Sequence, residues 1–176
     1  MSAPIQVWQY PFKPLPKQKT ALTAQAGEVL YGGSVGSGKS EVLLAACITV
    51  CTLVPNAKAL IIHRNYGELS DLVKRLRERV PTPVAKYNES KHVFYFANGA
   101  ELHLGYLERP EHATRYQGHE FMLICFDELT HYDKESYVLL QSRLLATGAV
   151  KDRMRQLRLP CAPCRHPTRA PRITTG

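Results

Sequence analysis

A glycine-rich stretch at residues 28–40, EVLYGGSVGSGKS, limits what this chain can fold into more than any other segment. Gly33, Gly38, Lys39 and Ser40 occupy every fixed position of GxxxxGK[ST], the pattern of a phosphate-binding loop. The residues before it are apolar and strand-like, and those after it favour a helix, which is the context that such a loop requires. An ordinary glycine-rich turn between a strand and a helix is the alternative. The stretch therefore predicts binding of a nucleoside triphosphate.

The residues of this loop have different predicted tasks. Lys39 would place a compact positive charge on the β and γ phosphates, and the Ser40 hydroxyl would ligate a Mg²⁺ that keeps most of its waters. Glycines tolerate the positive φ that turns backbone N–H groups inward around phosphate oxygens. The predicted phosphate contacts come from the backbone of Gly33, Ser34, Val35, Gly36, Ser37 and Gly38. We therefore expect a bound nucleotide with Mg²⁺.

A second pattern lies at residues 121–126, FMLICF, whose unbroken apolar run predicts a buried strand. Asp127 and Glu128 follow directly. At the end of a strand beside a phosphate-binding loop, an Asp can hold the hydration shell of Mg²⁺, and an adjacent Glu can orient and deprotonate the attacking water. A strand that simply ends in acidic residues is the alternative. Taken with the loop, the pair predicts hydrolysis rather than binding alone.

The other predicted elements surround these two motifs. After the loop, residues 41–52 form an apolar helix, and residues 58–63, KALIIH, form a buried strand that closes a βαβ unit. Arg64 follows that strand at the edge where open parallel sheets bind ligands, so it either reaches a phosphate or forms a surface ion pair. Amphipathic spacing predicts further helices at residues 67–80 and 133–145. The chain thus predicts a mainly parallel sheet covered by helices.

Two segments depart from this alternation. Residues 91–106 alternate apolar and other side chains around Asn98-Gly99, a pair that favours a type I′ turn, and predict an inserted β-hairpin. Residues 1–20 contain prolines at positions 4, 11, 14 and 16, which predict an extended segment rather than a helix. Within it, Gln18 has an amide able to read a donor and an acceptor on adenine, although a glutamine at a helix start is also common.

Length and charge bear on the rest of the chain. At 176 residues with 44% hydrophobic residues, the chain suits one globular α/β domain, predicted at residues 21–150. Most of the net charge of +8 lies in residues 151–176, which carry seven Lys and Arg against one Asp. This basic, proline-rich tail is predicted to be disordered, and Cys161, Cys164 and His166 lack a fourth zinc donor. A cytoplasmic location is expected, because no apolar run suits a membrane span or a secretory signal.

With both motifs in place, the chain resembles the N-terminal ATPase domain of tailed-phage terminase large subunits, the motors that package DNA into procapsids. The similarity extends to PKQKTAL, ALIIHRNYGELSDL, YNESKHVFYFANGAELHLGYLE, RYQGHEF and LLQSRLLATG, in the order of the family and over residues 15–148. The resemblance implies a P-loop NTPase fold of the additional-strand, catalytic-glutamate type, with a mainly parallel sheet between helices. A further strand is then expected between the strands of the two motifs, with residues 58–63 or a strand beyond Asn98 as candidates.

The resemblance also implies residue roles and partners. Gln18 looks like the adenine-side glutamine, and residues 33–40 look like the loop that holds the phosphates of ATP. Asp127 and Glu128 look like the Mg²⁺ carboxylate and the catalytic glutamate. The implied partners are double-stranded DNA, a small terminase subunit, a portal protein and a homo-oligomeric ring of motor subunits, with no membrane. The implied setting is the cytoplasm of a bacterial host, with a phage or prophage gene.

The chain departs from the family pattern in two respects. Many terminases carry an arginine inside the phosphate loop, whereas residues 34–37, SVGS, contain none, so Arg64, Arg115 or a neighbouring subunit would have to supply it. The family's coupling motif and nuclease domain are not recognisable, and nuclease activity is not expected. Our hypothesis is that the reading frame is truncated or frameshifted near Gly148, and a split gene is the alternative. Sequencing the adjoining DNA tests the hypothesis of a truncation or frameshift. The absence of a terminase continuation in any downstream frame would refute that hypothesis.

The sequence therefore predicts an ATP-hydrolysing, Mg²⁺-dependent motor domain for DNA packaging. One alternative is a nucleotide-binding terminase remnant without turnover, and another is a different P-loop ATPase such as a helicase-like protein. A helicase normally needs a second motor domain or a ring. Measuring ATP hydrolysis with and without linear DNA, and again with Glu128→Gln, separates a motor from a remnant.

Overall fold

Helices and strands alternate along most of the chain. The computed structural model describes residues 8–24, 26–34, 36–144 and 172–173 of the 176. The helices are α1 (Pro16–Leu22), α2 (Lys39–Leu53), α3 (Tyr66–Arg79) and α4 (Lys134–Gln141). The strands are β1 (Leu30–Tyr31), β2 (Lys58–His63), β3 (Ala85–Asn88), β4 (Val93–Phe96), β5 (Glu101–Tyr106), β6 (Leu123–Phe126) and β7 (Arg172–Ile173). Short 3₁₀ helices span Pro110–Tyr116 and Leu129–His131.

Five of the strands form one mixed sheet in the order β3-β4-β5-β2-β6. The central strand β2 is parallel to both β5 and β6, whereas β4 is antiparallel to β3 and β5. Strand β1 pairs instead with β7, in parallel, with Leu30 opposite Arg172 and Tyr31 opposite Ile173. These pairings confirm the predicted α/β class with parallel strands at the centre of the sheet.

Strand β2 divides the core, because successive side chains of a strand point to opposite faces of its sheet. Ala59 and Ile61 belong to the larger buried cluster, which includes residues of α2 and α3. Leu60 and Ile62 belong to a second cluster, which includes Leu140 of α4. Burial on both faces explains why β2 is an unbroken apolar run, and it places helices on both sides of the sheet as predicted.

Helix α1 begins inside the segment that was predicted to be extended. Proline suits the first turn of a helix because its fixed φ matches the helical value and its missing N–H is not needed there. The Gln18 side chain accepts a hydrogen bond of 2.8 Å from the backbone N–H of Leu15, which satisfies a free donor at the helix start. The prediction of an extended segment at residues 1–20 is therefore wrong from Pro16 onward.

The predicted hairpin is present as β4 and β5, and β3 adds a third antiparallel strand that the sequence analysis missed. Its turn is not type I′, since Gly99 has a positive φ of 83° but Asn98 does not. The N–H of Gly99 donates to the carbonyl of Phe96 at 3.0 Å, which closes a three-residue loop. The Asn98 amide is engaged elsewhere, because it donates to the carbonyls of Cys51 and Thr52 at the end of α2.

The candidates for the additional strand, between the strands of the two motifs, have different outcomes. Strand β2, residues 58–63, is paired on both edges by β5 and β6, and β5 is paired by β2 and β4. Neither strand therefore has a free edge for β1, so residues 58–63 do not form the additional strand and neither does β5. Strand β7, which also lies beyond Asn98, pairs with β1, so a strand beyond Asn98 stays a prediction. Within the described ranges, no strand pairing joins β1 to the five-stranded sheet.

Several predictions fall on residues that the structure does not describe. Val35 of the loop lies outside the described residues, as do Cys161, Cys164 and His166 of the tail. Within the tail that was predicted to be disordered, the structure describes Arg172–Ile173, as strand β7. In the described part of the chain, no helix combines the length and the apolar character that crossing a membrane requires.

Candidate functional site

The glycine-rich loop, residues 33–40, connects β1 to the first turn of α2. Gly36 and Gly38 have positive φ values of 79° and 73°, a conformation that side chains other than glycine rarely adopt. A Cβ on Gly38 would also lie 2.7 Å from Nε2 of Gln18. The Lys39 ammonium group donates to the carbonyls of Gly33 at 3.1 Å and Ser34 at 2.9 Å. The loop thus curls around the positive charge at its own end.

Ser40 and Asp127 bring the two sequence motifs together. The Ser40 hydroxyl donates to Oδ2 of Asp127 at 2.5 Å, although 87 positions separate the two residues. Asp127 directly follows β6, and its N–H donates to the carbonyl of Ile62 at 3.0 Å, which extends the pairing of β6 with β2. A hydroxyl and a carboxylate are ligands that Mg²⁺ prefers, usually together with waters and substrate phosphates. Among the described residues, no group of three or more His, Cys, Asp or Glu side chains offers a complete metal site.

Glu128 lies at the sharp turn that follows. Its φ of 51° and ψ of 57° are left-handed, and its N–H donates to Oδ1 of Asp127 at 3.1 Å. The carboxylate is about half exposed, and Oε2 lies 3.0 Å from Nδ1 of His131. The two adjacent acids are thus placed differently, since Asp127 contacts the loop and Glu128 faces solvent.

His63, the last residue of β2, lies behind Asp127. Its Nδ1 is 3.8 Å from Oδ2 of Asp127 and 4.0 Å from Oε2 of Glu68, and the side chain is 5% exposed. Burial lowers the pKa of His63, although the carboxylates of Asp127 and Glu68 oppose that change. Its Nε2 is buried without a hydrogen-bond partner among the described residues. Burial thus favours a neutral imidazole against the Asp127 carboxylate.

A cleft of about 870 Å³ separates β1 from β6, and Lys39, Asp127 and Glu128 all line it. Helix α4 closes one side of the cleft. There Glu28, just before β1, accepts hydrogen bonds from the Tyr137 hydroxyl at 3.2 Å and from the Gln141 amide. The side chains of both motifs therefore face one open space, and these side-chain contacts connect β1 to α4 across it.

Gln18 is 5% exposed and contacts the glycine-rich loop from α1. Its Nε2 donates to the carbonyl of Ser37 at 3.3 Å, while its Oε1 accepts from the N–H of Leu15. The amide is thus engaged at both ends, one with the helix start and one with the loop. The adenine-reading role expected from the sequence stays a prediction.

The sequence of the chain matches the family model described as terminase large subunit, T4likevirus-type, N-terminal, over residues 30–158. This span covers more than half of the 176 residues. The chain belongs to that family. Comparisons with curated proteins and with solved structures found no match. Membership implies a role in phage DNA packaging, and with it DNA and the packaging partners of terminases in general.

The family match corrects one boundary of the sequence analysis. The resemblance was expected to end near Gly148, where the composition changes, but the match continues to residue 158. The end of the resemblance was therefore placed ten residues too early. Gln18 lies outside the matched span, so the family match does not bear on its predicted role.

The two arginines proposed from the sequence make no contact with the loop among the described residues. Arg64 is exposed directly after β2, and no contact joins its side chain to the glycine-rich loop, Asp127 or Glu128 in the described part of the chain. Arg115 is exposed and lies over the ring of Tyr106, 5.7 Å from its centroid. Both arginine assignments therefore remain predictions.

Three residues of the site were not among those predicted from the sequence. His63 directly precedes Arg64, so its place at the sheet edge was open to prediction from the same strand. His131 is three positions beyond Glu128, which is one turn of a 3₁₀ helix. Glu28 gave no such signal, because its partner Tyr137 is 109 positions away.

Proposed function

We propose that this terminase domain binds ATP with Mg²⁺ and hydrolyses it as the motor domain that packages double-stranded DNA. The observation that carries the proposal is the 2.5 Å contact between the Ser40 hydroxyl and the Asp127 carboxylate. Ser40 of the glycine-rich pattern and Asp127 of the strand-then-acid pattern are 87 positions apart in the sequence, and action on one nucleotide requires the two to be close. Their contact supports a P-loop NTPase fold in which both act on one nucleotide.

The residues present suit a triphosphate with Mg²⁺. Lys39 would bind the phosphates from the end of the loop, and Ser40 and Asp127 would hold the metal. Ser37 Oγ is buried without a hydrogen-bond partner among the described residues, so the loop has a polar group left for a phosphate. The positive φ of Gly36 and Gly38 is a conformation with which successive backbone N–H groups can form an anion-binding concavity. Bound Mg²⁺ supplies charge neutralisation on the phosphate oxygens.

Glu128 would act on the attacking water. The carboxylate orients the water and accepts one of its protons while the water oxygen bonds to the γ-phosphorus. The bond from that phosphorus to the β–γ bridging oxygen breaks, which yields ADP and inorganic phosphate. Lys39 stabilises the negative charge on the transferred group. Arg64, Arg115 or a neighbouring motor subunit would supply the further positive charge that stabilises the transition state.

The proposal extends to the partners of the motor. A small terminase subunit, a portal protein and a ring of motor subunits would surround the domain in a bacterial host cytoplasm, with a phage or prophage gene as its source. Gln18 would hydrogen-bond to the adenine base, and its contact with Ser37 would connect the base to the loop.

Steady-state ATP hydrolysis by the full chain tests the proposal, with Mg²⁺ or with EDTA and with or without linear double-stranded DNA. We expect hydrolysis that requires Mg²⁺ and rises with DNA. Glu128→Gln should lower kcat by at least about 100-fold while a fluorescent ATP analogue still binds, since general bases contribute about that much. Lys39→Ala should weaken binding of the analogue. Glu89→Gln is the matched control, because Glu89 is exposed beside β3, at the far edge of the sheet.

The outcomes separate the alternatives. If the unaltered chain and Glu128→Gln bind the analogue and are equally inactive, the chain is a nucleotide-binding terminase remnant. If both hydrolyse ATP at the same rate, Glu128 is not the catalytic base. If the analogue does not bind at all, the proposed function is wrong.

A further inference from the structure

The turn that carries Glu128 is tied to the sheet by its neighbours. Glu128 begins the 3₁₀ helix Leu129–His131 from a left-handed backbone conformation that residues with a Cβ rarely adopt. The N–H of His131 donates to the carbonyl of Glu128 at 3.0 Å. The next residue, Tyr132, packs its ring against Phe126 and donates its hydroxyl to the carbonyl of Ile62 at 3.2 Å. The turn therefore has a fixed position relative to β2 and β6.

His131 contacts Glu128 a second time through its side chain. Nδ1 of the imidazole lies 3.0 Å from Oε2 of the carboxylate, and 35% of the His131 side chain is exposed against 54% of Glu128. A glutamate with this exposure normally samples many rotamers, and ordering it costs conformational entropy. A backbone held in a rare conformation together with a side-chain contact to the same residue points to a fixed carboxylate.

We propose that His131 is a positioning residue for Glu128, and this inference rests on the hydrolytic function proposed above. The imidazole contacts Oε2 through Nδ1, which leaves Oε1 to orient the water and to accept its proton. His131 touches neither the nucleotide nor the water. It acts by limiting the orientations of the carboxylate, so its removal should slow the chemical step without weakening nucleotide binding.

The test compares replacements of His131 in the full chain. His131→Asn keeps an N–H donor near the position of Nδ1, whereas His131→Phe keeps a ring of similar size without a donor. We expect His131→Phe and His131→Ala to lower kcat about tenfold with KM for ATP unchanged, and His131→Asn to retain most of the activity. His119→Ala is the matched control, since His119 is exposed and stacks on Phe121 away from Glu128.

A double-mutant cycle shows whether His131 acts through Glu128. In the Glu128→Gln background, His131→Phe should change kcat no further, because the carboxylate that it orients is already gone. Circular dichroism melting and binding of the fluorescent ATP analogue identify any variant that fails to fold. If His131→Ala does not fold, the comparison of Asn with Phe at this position gives the answer.

Four results would overturn the inference. Equal kcat values for His131→Phe and His131→Asn would show that the donor is irrelevant. A higher kcat in His131→Phe than in the unaltered chain would show that the contact holds the carboxylate away from the water. A further loss of activity in the Glu128→Gln background would place the role of His131 elsewhere. An unaltered chain without hydrolysis would refute the proposed function itself, and this case is distinct because Glu128→Gln would then be no slower than the unaltered chain.

Discussion

The two long edges of strand β6 have different neighbours. On one side β6 is hydrogen-bonded to β2, which is in turn paired with β5, and residues 59–62 of β2 are at most 1% exposed. On the other side lies the cleft, beyond which β1 is paired only with β7 among the described residues. Leu30 of β1 is 45% exposed. One side of β6 is a packed sheet, and the other depends on side-chain contacts from α4.

This difference assigns separate physical properties to the two motifs. Asp127 continues the paired edge of the sheet, so its position is fixed by backbone hydrogen bonds and by a buried core. The glycine-rich loop follows a short strand with little burial. Its contacts are the hydrogen bonds from Gln18 to Ser37 and from Ser40 to Asp127, together with those of Glu28 before the strand. Regions with few buried contacts open with low free energies, and ligand-binding loops are drawn from them. We therefore expect the loop to open at a lower free energy than the strands that hold Asp127.

The largest effect should come from the packed side. Leu60 of β2 is fully buried, so Leu60→Ala leaves a cavity and should lower the free energy of unfolding by about 2–5 kcal/mol. Urea denaturation followed by circular dichroism measures this loss. A loss below about 1 kcal/mol would contradict the packed description of β2, because surface substitutions usually fall in that range.

A smaller effect is expected where α4 begins. Asp133 accepts hydrogen bonds from the Ser136 hydroxyl at 2.6 Å and the Ser136 N–H at 2.8 Å, so Asp133→Ala should lower the free energy of unfolding by about 0.5–2 kcal/mol. These bonds hold the pKa of Asp133 below its usual 3.8. Because the folded pKa is the lower one, the contribution is complete above the unfolded pKa and disappears as the pH falls through the folded value.

The Asp133 prediction has a matched control. Asp133→Asn keeps a capping acceptor but cannot ionise, so its stability should not show this acid-dependent loss. Urea unfolding at pH 7 and at pH 3 compares the two chains. An identical change with pH in both would show that Asp133 does not contribute through its charge.

A similar or smaller effect is expected where α4 meets β1. Glu28→Ala removes the acceptor for Tyr137 and Gln141, and it should lower the free energy of unfolding by about 0.5–1.5 kcal/mol. Its more specific result should be faster amide hydrogen exchange in β1 and the loop, with exchange in β2 unchanged. Glu120→Ala, at an exposed position before β6, is the control. Equal acceleration in β1 and β2 would mean that the two sides open together.

The smallest effect should come from β1 itself. Leu30→Ala removes a half-exposed side chain, and the free energy of unfolding should change by no more than about 0.5 kcal/mol. The same urea measurement as for Leu60→Ala applies. A loss as large as that of Leu60→Ala would show that β1 is part of the packed core, which would remove the contrast between the two sides.

The sequence predicted those parts of the fold that depend on local patterns. The apolar run KALIIH gave β2 with its observed bounds, and the glycine-rich loop was found between a strand and a helix. The pairing of β1 was not predictable, because strand partners depend on contacts between distant residues. Helix α1 was missed because prolines before it hid a helix start that a proline favours. Asn98-Gly99 suggested the wrong turn, since the Asn98 amide bonds to α2 instead.

In the candidate site, too, some features were predictable from local sequence patterns and others were not. The contact between Ser40 and Asp127 was expected, because two motifs with one ligand must meet. The positions of His63 beside Asp127 and of His131 beside Glu128 were not among the predictions. Arg64 was proposed from its place at the sheet edge, but nearness along the chain does not fix where a long side chain lies.

Helix α2 connects the glycine-rich loop to the hairpin. Its 15 residues span about 22 Å at the usual rise per residue. Lys39 and Ser40 of the loop form its first turn, and at its other end Asn98 of the hairpin donates to the carbonyls of Cys51 and Thr52. One continuous helix therefore carries two residues of the candidate site at its start and anchors the hairpin turn at its end.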